Sequence, residues 1–368
     1  VHELGHFLAA KMSGIRVDEF ALGFPPRLIS KKVGETEYSL NLIPFGGYVK
    51  IHGENGENPD EPQTAEQKSR SFVHKNRFIQ VWVLIAGIVF NIAFAWIIVS
   101  IGLSVGLPPL TQGLEKSQYN VQSGVIISDV SVGSPAEKSG MLVGDRIIFA
   151  SVPGVVGATT TANHPNDPQQ IYDLIAASKG KPVEFLVVQG NLASFNSKEE
   201  KELARKITAT PSYDITPDKP VVGIRMYAES KVKVPFPQSF IEGAKVTADM
   251  TVETAKGLTH FFGSIFMGTA DLSQVSGPVG IATVVGSAWQ LGITYLVGLT
   301  AIISINLALI NLVPLPALDG GRIVIVIIEG IIRRPLPQKI ITFVQVASFF
   351  LLILLMVVIT VKDIAKFF

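Results

Sequence analysis

The chain of 368 residues contains no cysteine. Disulfides are therefore excluded, and so is any thiolate metal site, which leaves only nitrogen and oxygen as metal donors. Histidine is scarce, with 6 residues, and charged residues make up only 17% of the chain. A net charge of +1 gives no electrostatic case for nucleic acid as a partner. Against these shortages stand 48% hydrophobic residues and a mean hydropathy of +0.40. Length alone would allow two or three soluble domains, but this balance belongs to a membrane protein with one polar module.

Long apolar runs place the expected spans. Residues 78–107 form the first, charge-free from Phe78 to Gly106 and long enough to cross a bilayer with some tilt. A second is expected over 288–318, apolar from about Ala288 to Val313 with a broken end, and a third over 340–361. The chain opens on Val1 and its first apolar stretch ends near Met12. That is short of the roughly 20 residues a span needs. Residues 1–13 are accordingly expected to be the end of a truncated first transmembrane helix. Ile323–Ile328 is too short to cross and is interrupted by Glu329-Gly330, so 319–332 reads as a short buried or re-entrant helix.

Basic residues set the expected orientation. Lys68, Arg70, Lys75 and Arg77 precede the first full span, and Arg322, Arg333, Arg334 and Lys339 lie between the last two. Both clusters belong on the cytoplasmic side, which puts 107–287 outside the cytoplasm. Lys362 and Lys366 work weakly against this.

The polar stretches have their own patterns. Residues 14–77 show β alternation from Glu37 to Ile43, then Gly46-Gly47, which suggests a hairpin or a close backbone approach. A polar loop follows, Glu54 to Pro62. In 120–230, Gly124–Val130 reads as a strand and Ser134-Pro135-Ala136 starts a short helix ending at Gly140. A strand follows Gly144-Asp145-Arg146, a helix from Asp167 or Pro168 closes at Gly180, and Val183–Gln189 is a further strand. Residues 150–166 look like a loop insertion. This order resembles a PDZ domain, which takes an extended peptide as an added strand; a small β-rich spacer is the other reading. Residues 236–275 carry an amphipathic helical pattern that suits a membrane surface, or packing on the polar module.

The chemistry is concentrated at the start. His2-Glu3-Leu4-Gly5-His6 has the spacing His-Glu-x-x-His, and residues four apart on a helix lie one above the other. Two imidazoles can then grip one cation, with Glu3 offset to take a proton from water. A third ligand has to come from elsewhere. Pro314 and Pro316 cannot continue a helix, and irregular backbone at membrane depth is tolerated only when buried or lining a cavity. Asp319 follows with Gly320-Gly321. An acid at the edge of hydrocarbon is a candidate metal ligand; a helix N-cap is the alternative. Asn306 and Asn311 could join helices or line a polar groove, while Asn91 suits helix packing.

Taken together, His2-Glu3-Leu4-Gly5-His6, Leu42 to Tyr48, the PDZ-like module between spans and Asn311-Leu312-Val313-Pro314-Leu315-Pro316-Ala317-Leu318-Asp319-Gly320-Gly321 resemble the site-2 protease family of intramembrane zinc metalloproteases, in its bacterial RseP-like branch. The resemblance covers essentially the whole chain. It implies four transmembrane helices, the first truncated, a re-entrant β-hairpin or sheet, and one extracytoplasmic PDZ-like α+β domain. It implies Zn2+ held by His2, His6 and Asp319, Glu3 as base, and substrate contacts at Asn306, Asn311, Gly46 and Gly47. The implied substrates are single-span membrane proteins such as anti-sigma factors or signal-peptide remnants. Other implied partners are membrane lipid and a peptide C-terminus at the PDZ-like domain. The implied location is the bacterial plasma membrane, with the active site toward the cytoplasm. Relatives often have Pro after Ala-Gly in the second helix, where this chain has Ala86-Gly87-Ile88. A catalytically inactive PDZ-bearing scaffold would share the spans and the module; intact His2, Glu3, His6 and Asp319 weigh against it.

Overall fold

The computed structural model describes residues 1–54, 64–108, 110–111, 114, 119–154, 161–189, 202–213, 219–269 and 277–365. Most of the expected polar loop after Glu54, residues 155–160 of the expected insertion and 270–276 lie outside them. Two compact units divide the chain, one from 1–97, 247–282 and 300–368, the other from 98–246 and 283–299.

The first unit opens with α1 (His2–Met12) and two long bent strands, β1 (Val17–Val33) and β2 (Thr36–Ile51). β1 folds back at Pro25-Pro26, so each strand contributes two rows to one small sheet. Residues 27–33 pair with 36–41, residues 19–22 lie beside 37–40, and 17–22 pair with 47–51. The rows 27–33 and 47–51 are therefore the outer edges. Phe7 of α1 packs against Phe20 and Tyr38, with ring centres 5.2 and 6.0 Å away, which fixes the sheet on the helix. Asn41 is interior, buried, and donates from its side chain to Gly23 O. Of the two outer rows, 47–51 is tied to α1 through the Val49 N–H, which donates to Glu3.

α2 (Ala65–Ser69) is closed by a capping box between Thr64 and Gln67. Among the described residues, three helices are long and apolar enough to cross a membrane: α3 (Arg77–Val105), and, later in the chain, Ile293–Leu312 and Gln338–Ala365. The expected second span differs from what forms. Its first residues belong to a separate helix, Pro278–Leu291, which stops at Gly292 with φ +111°. Only glycine takes that backbone without strain, so the apolar run is cut there despite its composition. In chain order the C-terminal half is α6 (Gln238–Phe266), α7 (Pro278–Leu291), α8 (Ile293–Leu312), α9 (Asp319–Ile332) and α10 (Gln338–Ala365).

The expected break at Glu329-Gly330 is absent, and α9 runs through it. The charge that suggested a break is neutralised. Arg77 lies 2.8 Å from Glu329 Oε2, and the Leu336 N–H donates to Oε1. The core of this unit gathers Ala9, Ala10, Val83, Ala86, Ala308 and Ile323. Alanines of α1, α3 and α8 are interspersed there with larger aliphatic residues such as Leu84, Ile88 and Val326.

In the second unit a sheet of order β7-β6-β4-β3-β8 is built from β3 (Asn120–Val130), β4 (Asp145–Ser151), β6 (Val183–Gln189), β7 (Arg205–Ala209) and β8 (Ile224–Lys233), with β5 (Thr161–Asn163) beside β4. β5 lies in the expected 150–166 loop. Ser134 caps α4 (Pro135–Ser139), which ends on left-handed Gly140, and Asp167 caps α5 (Pro168–Ala177) with Pro in its first turn. Val125, Ile147, Ile171, Leu174 and Phe185 are among the residues of its buried core. Asp145, fully buried, accepts from the Leu142 N–H and pairs with Arg205 at 2.6 Å.

Candidate metal centre

The first turn of α1 holds the site because His2 and His6 project from one helix face. His6 Nδ1 lies 2.7 Å from the Val83 carbonyl oxygen of α3, which can only accept. The Nδ1–H is thereby committed, and Nε2 carries a lone pair. That Nε2 is 3.1 Å from His2 Nε2, the two rings standing nearly perpendicular with centres 4.6 Å apart. Asp319 Oδ2 completes the group, 2.8 Å from His2 Nε2 and 3.3 Å from His6 Nε2.

Asp319 arrives there through a tight turn. It is the first residue of α9, not its cap; Leu318 takes the N-cap position and no side chain caps the helix. Gly320 and Gly321 are needed because any Cβ there would collide with the backbone of Leu312, Val313 and Leu315. The chain reverses so closely after α8 that side chains are excluded, and Asp319 is turned back to α1.

Two imidazole nitrogens and a carboxylate oxygen thus share one point, all within 4.8 Å of one another. Their lone pairs repel unless positive charge sits between them, and nitrogen and oxygen donors of this kind suit zinc with an open fourth position. The residues fit the metal.

Glu3 is placed beside the group rather than in it. Its Oε2 accepts from the Val49 N–H at 3.1 Å, on the outer 47–51 edge of the sheet. Asn311 Nδ2 reaches 3.3 Å from His2 Nε2. Asn306 does not join it: five residues back is about 140° round a helix, and Asn306 is half-buried with no hydrogen bond to the cluster. Gly46 lies just before the 47–51 row and Gly47 is its first residue. A Cβ on Gly46 would come 3.1 Å from Phe24 and one on Gly47 2.5 Å from Ala21 O, so both serve close approach within the sheet.

Farther along α1, Lys11 donates to Glu35 at 2.7 Å and Arg70 joins the same carboxylate at 2.7 Å. The Lys11 hydrogen bond, reinforced by Arg70, holds the Glu35 carboxyl below the usual range. This ties the end of α1 to the β1–β2 turn.

Three contributions escaped the sequence reading: the Val83 carbonyl, Gly87 and Asn91. Asn91, expected only to pack helices, is buried with Nδ2 3.4 Å from His2 Nδ1. The three residues are spaced by four on a helix that carries no charge after Arg77, a pattern that could have marked one functional stripe.

The model of peptidase family M50 matches residues 1–355. The chain belongs to peptidase family M50. Among its M50 relatives, a protein of Clostridium perfringens provisionally named a zinc metalloprotease is 34% identical over 99% of this chain and 94% of its own length. Zinc metalloprotease RasP of Geobacillus kaustophilus is 28% identical, covering 100% of this chain and 95% of its own length. Membrane metalloprotease ARASP, chloroplastic, of Arabidopsis thaliana is 30% identical over 99% of this chain and 75% of its own.

Proposed function

We propose that this M50 protein is an intramembrane zinc metalloendopeptidase of the site-2 type, with His2, His6 and Asp319 as zinc ligands and Glu3 as general base. The observation that carries the reading is the meeting of Asp319 Oδ2 with both imidazole Nε2 atoms, from positions more than 300 residues apart in sequence. Zinc held there supplies Lewis acidity, making water a nucleophile near neutral pH and polarising the scissile carbonyl.

The remaining chemistry belongs to side chains. Glu3 takes the proton released as water attacks the carbonyl carbon and passes it to the leaving amine as the C–N bond breaks. The Val49 N–H steadies the Glu3 carboxylate while it waits. A transmembrane helix hides its carbonyls in its own hydrogen bonds, so the substrate must unwind first. Unwound backbone needs new partners in a water-poor site. The 47–51 edge, which begins at Gly47, would accept it as an added strand, and the Asn311 amide would donate to a carbonyl near the cut. Asn306 is retained only as a contact remote from the cut.

The substrates are transmembrane proteins, with anti-sigma factors and signal-peptide remnants as the proposed classes. The protein lies in the membrane, with the bacterial plasma membrane as the proposed one. The active site faces the cytoplasm, supported by the basic clusters around Arg77 and Arg334. The 120–230 module is extracytoplasmic and PDZ-like, taking a peptide C-terminus; its sheet with α4 and α5 supports this. The inactive scaffold is not favoured, since such a protein has no use for the convergent donors.

Cleavage of a single-span substrate by purified protein in bilayers tests the reading. Glu3→Gln should lose cleavage while retaining zinc, and Asp319→Ala should lose both. Equal cleavage by wild type and Glu3→Gln would remove the general base and with it the mechanism.

A further inference from the structure

α3 forms the back wall of the metal centre through three residues spaced four apart, which a helix stacks on one face. Val83 accepts the His6 Nδ1–H through its carbonyl oxygen at 2.7 Å. Gly87 faces both rings: a Cβ there would stand 2.5 Å from His6 Nε2 and 2.7 Å from His2 Cε1. Asn91 ends the stripe, 97% shielded from solvent, with its side-chain Nδ2 placed 3.4 Å from His2 Nδ1. Its backbone is itself anchored, since Ser304 Oγ donates to Asn91 O at 2.9 Å.

Each ligand ring therefore has a polar group of α3 behind it, but the two groups differ in kind. A backbone carbonyl can only accept, so His6 has one tautomer. A carboxamide can offer nitrogen or oxygen by a half-turn of its last bond. With nitrogen forward it donates to a bare His2 Nδ1, which leaves the proton on Nε2, facing Asp319. With oxygen forward it accepts the Nδ1–H, and Nε2 becomes the lone pair a metal requires. Ligand histidines commonly hold their second nitrogen this way, and loss of the partner typically costs 10–100-fold in metal affinity.

We propose that Asn91 is a positioning residue for His2, its side-chain oxygen accepting the Nδ1–H and so fixing the tautomer and ring orientation that present Nε2 to the metal. The inference rests on the zinc site proposed above and adds an outer partner to it. Asn91 touches neither metal nor substrate; it acts through the ring.

Zinc affinity of full-length protein in detergent or nanodiscs, measured by competition with a chromogenic chelator, tests this without reference to cleavage. Asn91→Leu keeps the branching at Cγ and removes the acceptor; affinity should fall about 10–100-fold. Asn91→Asp keeps an acceptor at the same reach and should restore affinity to within a few-fold of wild type. Asp319→Ala, measured alongside, reports on the underlying site. Zinc retained by Asp319→Ala would defeat the site itself. Zinc lost by Asp319→Ala but bound normally by Asn91→Leu would overturn only the role of Asn91. Equal loss in Asn91→Leu and Asn91→Asp would also overturn it, since a packing role ignores acceptor chemistry. Melting temperatures of the zinc-free variants exclude misfolding as the cause when they match wild type. Should Asn91→Leu not fold, Asn91→Ser, smaller and unable to reach, takes its place with the same expected loss.

Discussion

Replacing Gly87 by alanine adds one carbon to a helix that needs nothing else changed, and alanine is the better helix former by about 1 kcal/mol. Propensity alone would therefore make the variant more stable. The site says otherwise. The new Cβ would fall 2.5 Å from His6 Nε2, 2.7 Å from His2 Cε1 and 2.8 Å from His6 Cε1. Ordinary contact between such atoms is about 3.5–4.0 Å, so a displacement of roughly 1 Å must be found.

α3 cannot readily supply it. Ala86 and Ile88 beside Gly87 are buried, and the Gly5 backbone already lies against Ala86, where a Cβ would meet Ala86 O at 2.5 Å. The rings must move instead. Metal ligands tolerate errors of about ±0.2 Å, so a shift several times larger should weaken zinc binding by about 100-fold or more. That is roughly 2.7 kcal/mol or above, while overpacking costs the fold about 1–3 kcal/mol.

Gly257→Ala on α6 is the matched control, since no atom lies within 4 Å of its added Cβ. Zinc titration of both variants in nanodiscs, with thermal unfolding of each, is the assay. Gly257→Ala should bind zinc as wild type does. Wild-type zinc affinity in Gly87→Ala would mean that α3 does not crowd the rings, and the account of the back wall would fail with it.

Three further outcomes are expected. Val49→Pro removes the N–H that Glu3 accepts, at an outer sheet edge where proline is tolerated; kcat should drop about tenfold or more with zinc content unchanged, and an unchanged kcat would detach that bond from catalysis. The Glu35 carboxyl has a lowered pKa because Lys11 donates to it, so its stabilisation is present above the unfolded value of about 4.3 and is lost as pH falls through the lower folded value. Both partners are about a third exposed, so the contribution is about 0.2–1 kcal/mol, and acid unfolding of Glu35→Gln should show a shallower slope below pH of about 4; an identical slope refutes the linkage. Buried Asp363 accepts the Gly277 and Gly280 N–H groups at 2.7 and 2.9 Å, so Asp363→Ala should destabilise the protein by about 1–3 kcal/mol in denaturant-induced unfolding, and Asp363→Asn by less. Equal stability of all three forms would show that these bonds contribute nothing net.

Local pattern and composition were enough for several features. Hydropathy located the helices at Arg77–Val105 and Gln338–Ala365, because an apolar run of that length has few alternatives to a span. Ser134, Gly140 and Asp167 announced helix ends whose physics is confined to one turn. Gly292 was harder to read, since a single glycine in an apolar run gives no sign of its φ until the chain on either side is packed. The continuity of α9 through Glu329 was hidden too, because it depends on Arg77, a residue about 250 positions away.

The sequence by itself determined which side chains can do the chemistry: His2 and His6 share a face by helical spacing, Glu3 lies beside them, and an acid follows a broken apolar helix. Tertiary structure alone decided that Asp319 meets both rings, that Val83, Gly87 and Asn91 stand behind them, and that the strand edge at Val49 donates to Glu3. The physical reason is one of range. Spacing along a helix or strand fixes neighbours a turn or two apart, whereas contacts between distant segments arise from how closely small residues such as Gly5, Gly87, Gly320 and Gly321 let backbones approach.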